Sequence, residues 1–344
     1  MGASAGGVTA LQSFFSHIRA DLGLAYVVIL HLAPDQPSSL AEILATRTSM
    51  PVSAVQGSTQ LQPNCVYVIP PDREFVITGE VLTARPFSEP RGRRSPIDSF
   101  FRSIAAARGD GIAVVLSGSG SDGALGVRAI KEVGGVIFVQ DPNEAEYMMM
   151  PQAAIGTGVV DFVAPIPRLV TQIAEVVRSK EAIRGVGEGE AEGELRQIIN
   201  FLLRRTGHDF SNYKRATILR RVSRRMQVTQ QESLAAYFGF LQANADEAKE
   251  LFSDLLITVT SFFRDHAAFS ALAEKAVAPI FEQLQGDAPI RAWVVGCASG
   301  EEAYSVGMEL LEEAARCALH PNIQIFASDL DESCLLYTSD AADE

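Results

Sequence analysis

Cysteine, histidine and tryptophan are all scarce in this chain, with four, five and one among 344 residues. Cys65, Cys297, Cys317 and Cys334 are scattered with no C-x-x-C spacing. That argues against a zinc site or a disulfide framework and fits a reducing, cytoplasmic setting. No apolar run approaches the ~20 residues a membrane span needs, and no secretory leader is visible. Positive charge is short as well. Lys and Arg total 29 against 42 Asp and Glu, a net charge of −13, which argues against nucleic acid as the partner of the whole chain but leaves room for a local basic patch. Apolar residues are plentiful, at 47%. The length predicts two or three globular domains, each able to bury its own core.

The first seven residues, Met1-Gly2-Ala3-Ser4-Ala5-Gly6-Gly7, contain G-x-S-x-G. In that pattern a serine sits on a sharp strand-to-helix turn, glycines keep bulk off the crowded backbone, and the next amide can stabilise an oxyanion. A flexible glycine-rich terminus and a phosphate-cradling turn are the competing readings. Partners for the serine decide between them.

From Ser4 a helix is expected, with Val8, Leu11, Phe14, Phe15 and Ile18 at helical spacing. Ala25–Leu30 reads as a buried strand that stops at His31. Short strands follow at Val52–Val55, Cys65–Ile69 and Glu74–Ile77. Ser95-Pro96-Ile97-Asp98 opens a helix. The strand Ile112–Leu116, the loop Ser117-Gly118-Ser119-Gly120-Ser121-Asp122-Gly123, a helix from Ala124 and the strand Val136–Val139 complete the pattern. Such alternation implies a doubly wound α/β fold on a mainly parallel sheet, with its site at the carboxyl ends of the strands. Ser4, His31 and Asp122 all fall on that edge. A serine nucleophile needs a base, and the base needs a carboxylate to fix its tautomer. His17, His208, His266 and His320 do not end a buried strand; His31 does, although a structural histidine is the alternative. Asp110 and Asp141 are rivals for the acid. Asp122 is favoured because its flanking glycines let the loop wrap closely, with a phosphate-binding turn as the other reading of that loop.

GASAGG, the strand ending at His31 before Leu32-Ala33-Pro34, and SGSGSDG together resemble CheB-type protein-glutamate methylesterases over residues 1–180. Tyr67-Val68-Ile69-Pro70-Pro71, Ser95-Pro96-Ile97-Asp98 and Met150-Pro151 before Ala153-Ala154-Ile155 belong to the same resemblance. It implies Ser4 as nucleophile, His31 as base, Asp122 as orienting carboxylate, and an oxyanion site at Ala5 and Ser119. It also implies cofactor-free hydrolysis of glutamate methyl esters on chemoreceptor helices, sometimes with deamidation of glutamine. Two departures stand out. Ser119 replaces a frequent methionine, and only Met1 precedes Gly2, so the strand carrying the nucleophile is expected to be missing. No receiver domain is visible ahead of the esterase, so phosphorylation control is not visible either.

Residues 181–194, rich in Gly and Glu, read as a solvated hinge. A helical subdomain is expected over 195–278. At about 100° per residue, Leu219, Val222 and Met226 share an apolar stripe, while Lys214, Arg221 and Arg225 line another face with Arg224 beside them. That basic stripe is read either as a solvated face or as a dock for an acidic receptor segment.

The strand Ile290–Val295, the loop Gly296-Cys297-Ala298-Ser299-Gly300-Glu301-Glu302, a helix and a strand ending at Asp329 follow the logic of a nucleotide-type cofactor site. Two glutamates in the loop would repel phosphate and favour a cationic head. From Leu195 to Asp331 the chain resembles CheR-type protein-glutamate O-methyltransferases, which implies S-adenosylmethionine at Thr260, Arg264, Gly296, Glu301 and Asp329. A helix-end ion pair is the alternative for Arg264. The methyltransferase, over 279–333, is expected to be incomplete and to bind its cofactor weakly or not at all. Residues 334–344 leave the family pattern and are expected to be non-native. A non-catalytic scaffold that docks receptor-like partners is the competing function.

Overall fold

A computed structural model describes residues 1–32, 38–90, 93–108, 111–184, 190–256, 260, 262–284 and 288–330. The expected non-native tail, 334–344, lies outside them. The chain divides into two compact units, residues 1–251 and 252–344, so most of the helical segment groups with the esterase-like part rather than forming a unit of its own.

The first unit is built on strands β1 (Gly2–Ala3), β2 (Ala25–Leu30), β3 (Val52–Ala54), β5 (Cys65–Val68), β8 (Ile112–Val115), β9 (Val136–Gln140) and β10 (Phe162–Ala164). They form one sheet in the order β10-β9-β8-β1-β2-β5-β3, with every pairing parallel. A side sheet of β4 (Ser58–Gln60), β6 (Arg73–Thr78) and β7 (Val81–Pro86) is antiparallel. Near-continuous apolar strands need cover on both faces, and successive residues divide between two cores. Val28 and Leu30 join Leu11, Phe14 and Phe138 on one side. Val27 and Ile29 join Phe75, Ile97, Phe100 and Phe101 on the other. The covering helices are α1 (Gly7–His17), α2 (Leu40–Ala45), α3 (Pro96–Arg108), α4 (Ala124–Glu132), α5 (Met149–Ile155) and α6 (Ile166–Arg184).

The strand expected to be missing before Ser4 is present, in two residues. Gly2 pairs with both Ile29 and Val115, so β1 lies in the middle of the sheet. Met1 extends the ladder, its carbonyl accepting from Ile29 at 2.9 Å and its terminal amine donating to Val27 at 2.8 Å. Burial lowers that amine to a pKa of about 5. A cavity of about 390 Å³ adjoins Met1 and is lined on its flanks by Ala25, Tyr26, Ile112 and Val114. The Tyr26 hydroxyl is buried there without a hydrogen-bond partner.

Helices α7 (Glu190–Thr206), α8 (Arg215–Val228), α9 (Leu234–Ala243) and α10 (Ala245–Leu256) follow. Both ends of the expected hinge are helical, α6 reaching Arg184 and α7 starting at Glu190, while 185–189 lie outside the described residues. Alanine and glutamate are good helix formers, and acidic side chains suit a helix N-terminus.

The reading of a basic docking stripe is corrected. Lys214 is exposed, but Arg221 is 1% and Arg225 6% exposed. Arg221 donates to the carbonyls of Lys131 and Glu132, where a guanidinium meets the negative end of α4. Arg224 donates to Gly135 at 3.1 Å and pairs with the buried Asp161. Arg225 pairs with Glu247 at 2.6 Å, and Glu247 also accepts from the Tyr237 hydroxyl. The arginines are used inside the unit, where each finds carbonyl or carboxylate acceptors.

In the second unit, β11 (Ile290–Val295) and β12 (Ile323–Ser328) pair in parallel over all six residues. Helices α11 (His266–Leu272), α12 (Ala278–Glu282), which follows a π-helical turn, and α13 (Glu301–Arg316) accompany them. Val277, Phe281, Ile290, Leu310 and Ala314 form the core, while Trp293, Val295 and Phe326 are exposed. No described helix of the chain is long and apolar enough to cross a membrane.

Leaving one member of a buried ion pair alone is expensive. Arg224→Ala leaves Asp161 to the Lys131 ammonium at 3.7 Å and the Ile137 amide, so it is expected to destabilise the first unit by about 3 kcal/mol, the lower end for a broken buried pair, in urea unfolding. Adding Asp161→Ala should cost much less than a second such loss, whereas additive losses would deny the coupling.

Candidate active site

The turn between β1 and α1 explains the opening motif. Gly6 sits at φ 71°, and a Cβ there would lie 2.7 Å from Ser117 Oγ and 2.8 Å from Glu146 Cβ, so a side chain would be both strained and blocked. Ser4 is half-buried; its amide donates to the Ser117 carbonyl at 3.0 Å, and its carbonyl accepts from Gly7 at 2.8 Å. The β2 ladder runs one residue past the strand, with the His31 amide donating to Ala3 at 3.2 Å. This sets His31 beside the serine.

His31 bridges the other two residues. Its Nδ1 lies 3.2 Å from Ser4 Oγ and its Nε2 lies 2.8 Å from Asp122 Oδ2. An ionised Asp122 only accepts, so it selects the tautomer with hydrogen on Nε2 and leaves the Nδ1 lone pair facing the serine hydroxyl. The Asp122 side chain is 8% exposed, against 31% for His31. Asp122 also accepts from the amides of Ile97 at 3.0 Å and Asp98 at 2.9 Å, at the start of α3. The rival Asp141 accepts instead from Asn143 in its own turn; Asp110 lies outside the described residues.

Both ends of the loop around Asp122 have their amides engaged within the protein. Ser117 donates to Gln140 Oε1, Gly118 to the Tyr147 carbonyl, Gly123 to Asp98 and Ala124 to the Ser121 carbonyl. Phosphate cradling needs such donors free, and these four are engaged within the protein. Ser119 is exposed and Ala5 half-buried. It is Gly118 that packs against the nucleophile's position, since a Cβ there would lie 2.9 Å from Ser4 Cβ and 2.1 Å from Met150 Sδ. Asp98, Gln140 and the Ser117 hydroxyl, which donates to Ala5 at 2.9 Å, escaped the sequence reading. They act through backbone amides and carbonyls distant in sequence, and only the Ser95-Pro96-Ile97-Asp98 turn gave a hint of them.

In the second unit the loop from Gly296 to Gly300 joins β11 to α13, with φ of 75° at Gly296 and 96° at Gly300. The Ala298 amide donates to Asp329 Oδ2 at 2.7 Å, so the loop and Asp329 meet. Glu301 begins α13, and its carboxylate accepts from Ser299 at 2.6 Å. Thr260 is half-buried and Arg264 exposed. Between them, Phe263 donates to Ser305 at 3.0 Å, which sets this stretch against α13 one turn beyond Glu301. Among the described residues, no cluster of His, Cys, Asp or Glu could hold a metal ion.

Three family models match consecutive parts of the chain: CheB methylesterase over residues 1–173, the CheR methyltransferase all-alpha domain over 193–256, and the CheR methyltransferase SAM binding domain over 258–342. An uncharacterized 104.1 kDa protein of Rhodobacter capsulatus is 35% identical over 85% of this chain and 33% of its own length. A protein-glutamate methylesterase/protein-glutamine glutaminase of Rhizobium meliloti is 31% identical over 56% of this chain and 53% of its own length. The chain thus spans about a third to a half of these relatives. The crystal structure of the Thermotoga maritima CheB methylesterase catalytic domain is similar at a TM-score of 0.48 with 24% identity, covering 51% of this chain and 95% of that one. With its first 173 residues matched and a serine, a histidine and an aspartate in contact on the sheet edge, the chain belongs to the CheB methylesterase family.

Proposed function

We propose that the first unit hydrolyses glutamate methyl esters, and the related glutamine side-chain amides, on the cytoplasmic helices of chemoreceptors. The continuous contact from Ser4 through His31 to Asp122 carries the reading. Ser4 Oγ attacks the ester carbonyl as Nδ1 of His31 takes its proton. The imidazolium is stabilised by Asp122 and returns the proton to the departing methanol. Water then cleaves the acyl-enzyme by the same route, with His31 again as base. The amide of Ala5, next after the nucleophile, is assigned to the developing oxyanion, with Ser119 at the rim of the pocket.

The second unit is assigned to S-adenosylmethionine. Its loop fits a cationic, phosphate-free head, because Glu301 and Glu302 open the helix that would otherwise attract phosphate. Asp329 already accepts a hydrogen bond from the loop and can serve ribose hydroxyls. Gly296, Glu301 and Asp329 would hold the cofactor, with Thr260 and Arg264 on the adjoining stretch; the cofactor supplies an activated methyl group for a receptor carboxylate. Binding is expected to be weak, because the β11–β12 pair leaves Trp293, Val295 and Phe326 exposed.

Ser4→Ala is expected to lower methanol release from a methylated receptor fragment by about six orders of magnitude, with an unchanged circular dichroism spectrum. Release that persists at the parental rate would refute the triad, and no release by the parent chain would favour a docking scaffold. For the cofactor, retention of labelled S-adenosylmethionine in equilibrium dialysis should fall about tenfold in Asp329→Ala, the scale of one charged hydrogen bond at ~1.5–3 kcal/mol. Equal retention by both chains would remove Asp329 from the site.

A further inference from the structure

Asp98 is 3% exposed and its carboxylate touches neither Ser4 nor His31 in any hydrogen bond described above, yet it is tied to the acid of the triad in both directions. Its Oδ1 accepts from the amides of Gly123 at 3.0 Å and Gly126 at 2.6 Å, the first turn of α4. Asp122, just before α4, accepts in turn from the amides of Ile97 and Asp98, the first turn of α3. Each carboxylate thus caps the other's helix. Gly123, at the N-cap of α4, has no side chain to cap its own.

We propose that Asp98 is a positioning residue of the hydrolase, holding Asp122, and through it His31, in register by this exchange of caps between α3 and α4. The inference rests on the hydrolytic reading of Ser4. With Oδ1 of Asp122 held by the Asp98 amide and Oδ2 shared between the Ile97 amide and His31, the carboxylate cannot rotate without losing a bond. The two helices must approach closely for this. A Cβ on Gly126 would lie 2.7 Å from Phe101 Cβ and 3.0 Å from Asp98 Cα.

The arrangement carries a cost that a purely structural cap would avoid. Burial raises the Asp98 carboxyl to about 6; the neighbouring Asp122 charge pushes the same way, while the amides of Gly126 and Gly123 and the Arg102 guanidinium oppose it. A carboxyl whose folded pKa lies above its unfolded one binds its proton more readily when folded. Stability is therefore lost as pH rises from about 4 through about 6. An asparagine would avoid that loss, but its neutral carbonyl accepts from the two amides more weakly than a carboxylate and so holds α4 less firmly against α3.

The test compares the full chain with Asp98→Asn and Asp98→Ala. Methanol release is followed between about pH 5 and pH 8, thermal melting is recorded, and Ser4 is labelled with a phosphonofluoridate that reacts with any activated serine. Asp98→Asn should melt no lower than the parent near neutrality. Its kcat should nevertheless fall between about tenfold and a hundredfold, the scale of a small misplacement of a catalytic group, with KM within about twofold. The acid limb of log kcat/KM should be steeper in the parent, where Asp98 must lose its proton to hold both amides as a carboxylate, than in the asparagine variant, which has no such proton to lose. Asp98→Ala should lose more activity than Asp98→Asn at equal folded fraction. Unchanged kcat and slope in Asp98→Asn, or losses that track only the folded fraction, overturn the proposal. If the parent labels at Ser4 but releases no methanol, the substrate reading fails, and the labelling rate of Asp98→Asn against the parent still decides the role of Asp98. A parent chain that neither labels nor releases methanol overturns both.

Discussion

The backbone pairing of Met1–Ala3 on both of its sides is the constraint on which the first unit depends. Two strand residues would not hold a place in water, where even a two-stranded hairpin is marginal. Here they lie between β2 and β8, and Met1, Gly2 and Ala3 all exchange main-chain hydrogen bonds with these neighbours. Because the pairing is parallel, the ends of β1, β2 and β8 reach the same edge together, bringing Ser4, His31 and Ser117 side by side. Gly2 has a further reason to be glycine, since a Cβ there would lie 2.4 Å from the buried Ile97. Ile97 in turn contributes one of the amides that hold Asp122. The nucleophile's strand and the acid's support thus share one contact.

Charge inside this unit is handled at helix ends. Unpaired carbonyls at a helix C-terminus and unpaired amides at an N-terminus need partners, and α4 obtains both from other elements. Asp98 meets its first amides, and Arg221 meets the carbonyls of Lys131 and Glu132 at its far end. The nine-residue helix that follows the triad acid is therefore clamped at each end by a buried charge of the sign its dipole favours. This is also why the basic face of α8 is turned inward. Each guanidinium meets two such groups, Arg221 the carbonyls of Lys131 and Glu132, Arg224 the Gly135 carbonyl and Asp161, and Arg225 the carboxylates of Glu247 and Glu250, and charge-assisted bonds of this kind are the strong ones.

The strand–helix alternation and its consequence, three chemical groups on one sheet edge, were legible from apolar runs and glycine turns. Two expectations failed for physical reasons that a single sequence does not display. The strand before Ser4 is expected to be missing because only Met1 precedes Gly2, yet its partners, not its own length, make it a strand. The basic stripe of α8 reads as a solvated face or a dock for an acidic partner because helical spacing reports which residues share a face and not what that face meets. Arg221 and Arg225 share it with Lys214, yet two are buried and one is exposed. The reciprocal caps of Asp98 and Asp122 are out of reach for a similar reason, since the amides that donate to them lie some 25 residues away.

The two glycine-rich loops show how similar local sequence is put to different chemistry. Each follows a parallel strand and opens a helix whose N-cap is a glycine at positive φ, 103° at Gly123 and 96° at Gly300. That construction would suit an anion if its amides pointed outward. In the first loop the amides of Ser117, Gly118, Gly123 and Ala124 are taken by Gln140, Tyr147, Asp98 and Ser121, and the Asp122 carboxylate between them projects toward His31. In the second, Gly296 and Cys297 donate to the Ser328 carbonyl and Ala298 donates to Asp329, so the adjoining strand takes them up. Two acidic residues then begin the helix. Added negative charge disfavours an anion at the second loop, while in the first the donors at both ends are already engaged. These features support the proposed placing of a neutral ester at one loop and a cationic methyl donor at the other, the two ligands that removal and addition of a glutamate methyl group would require.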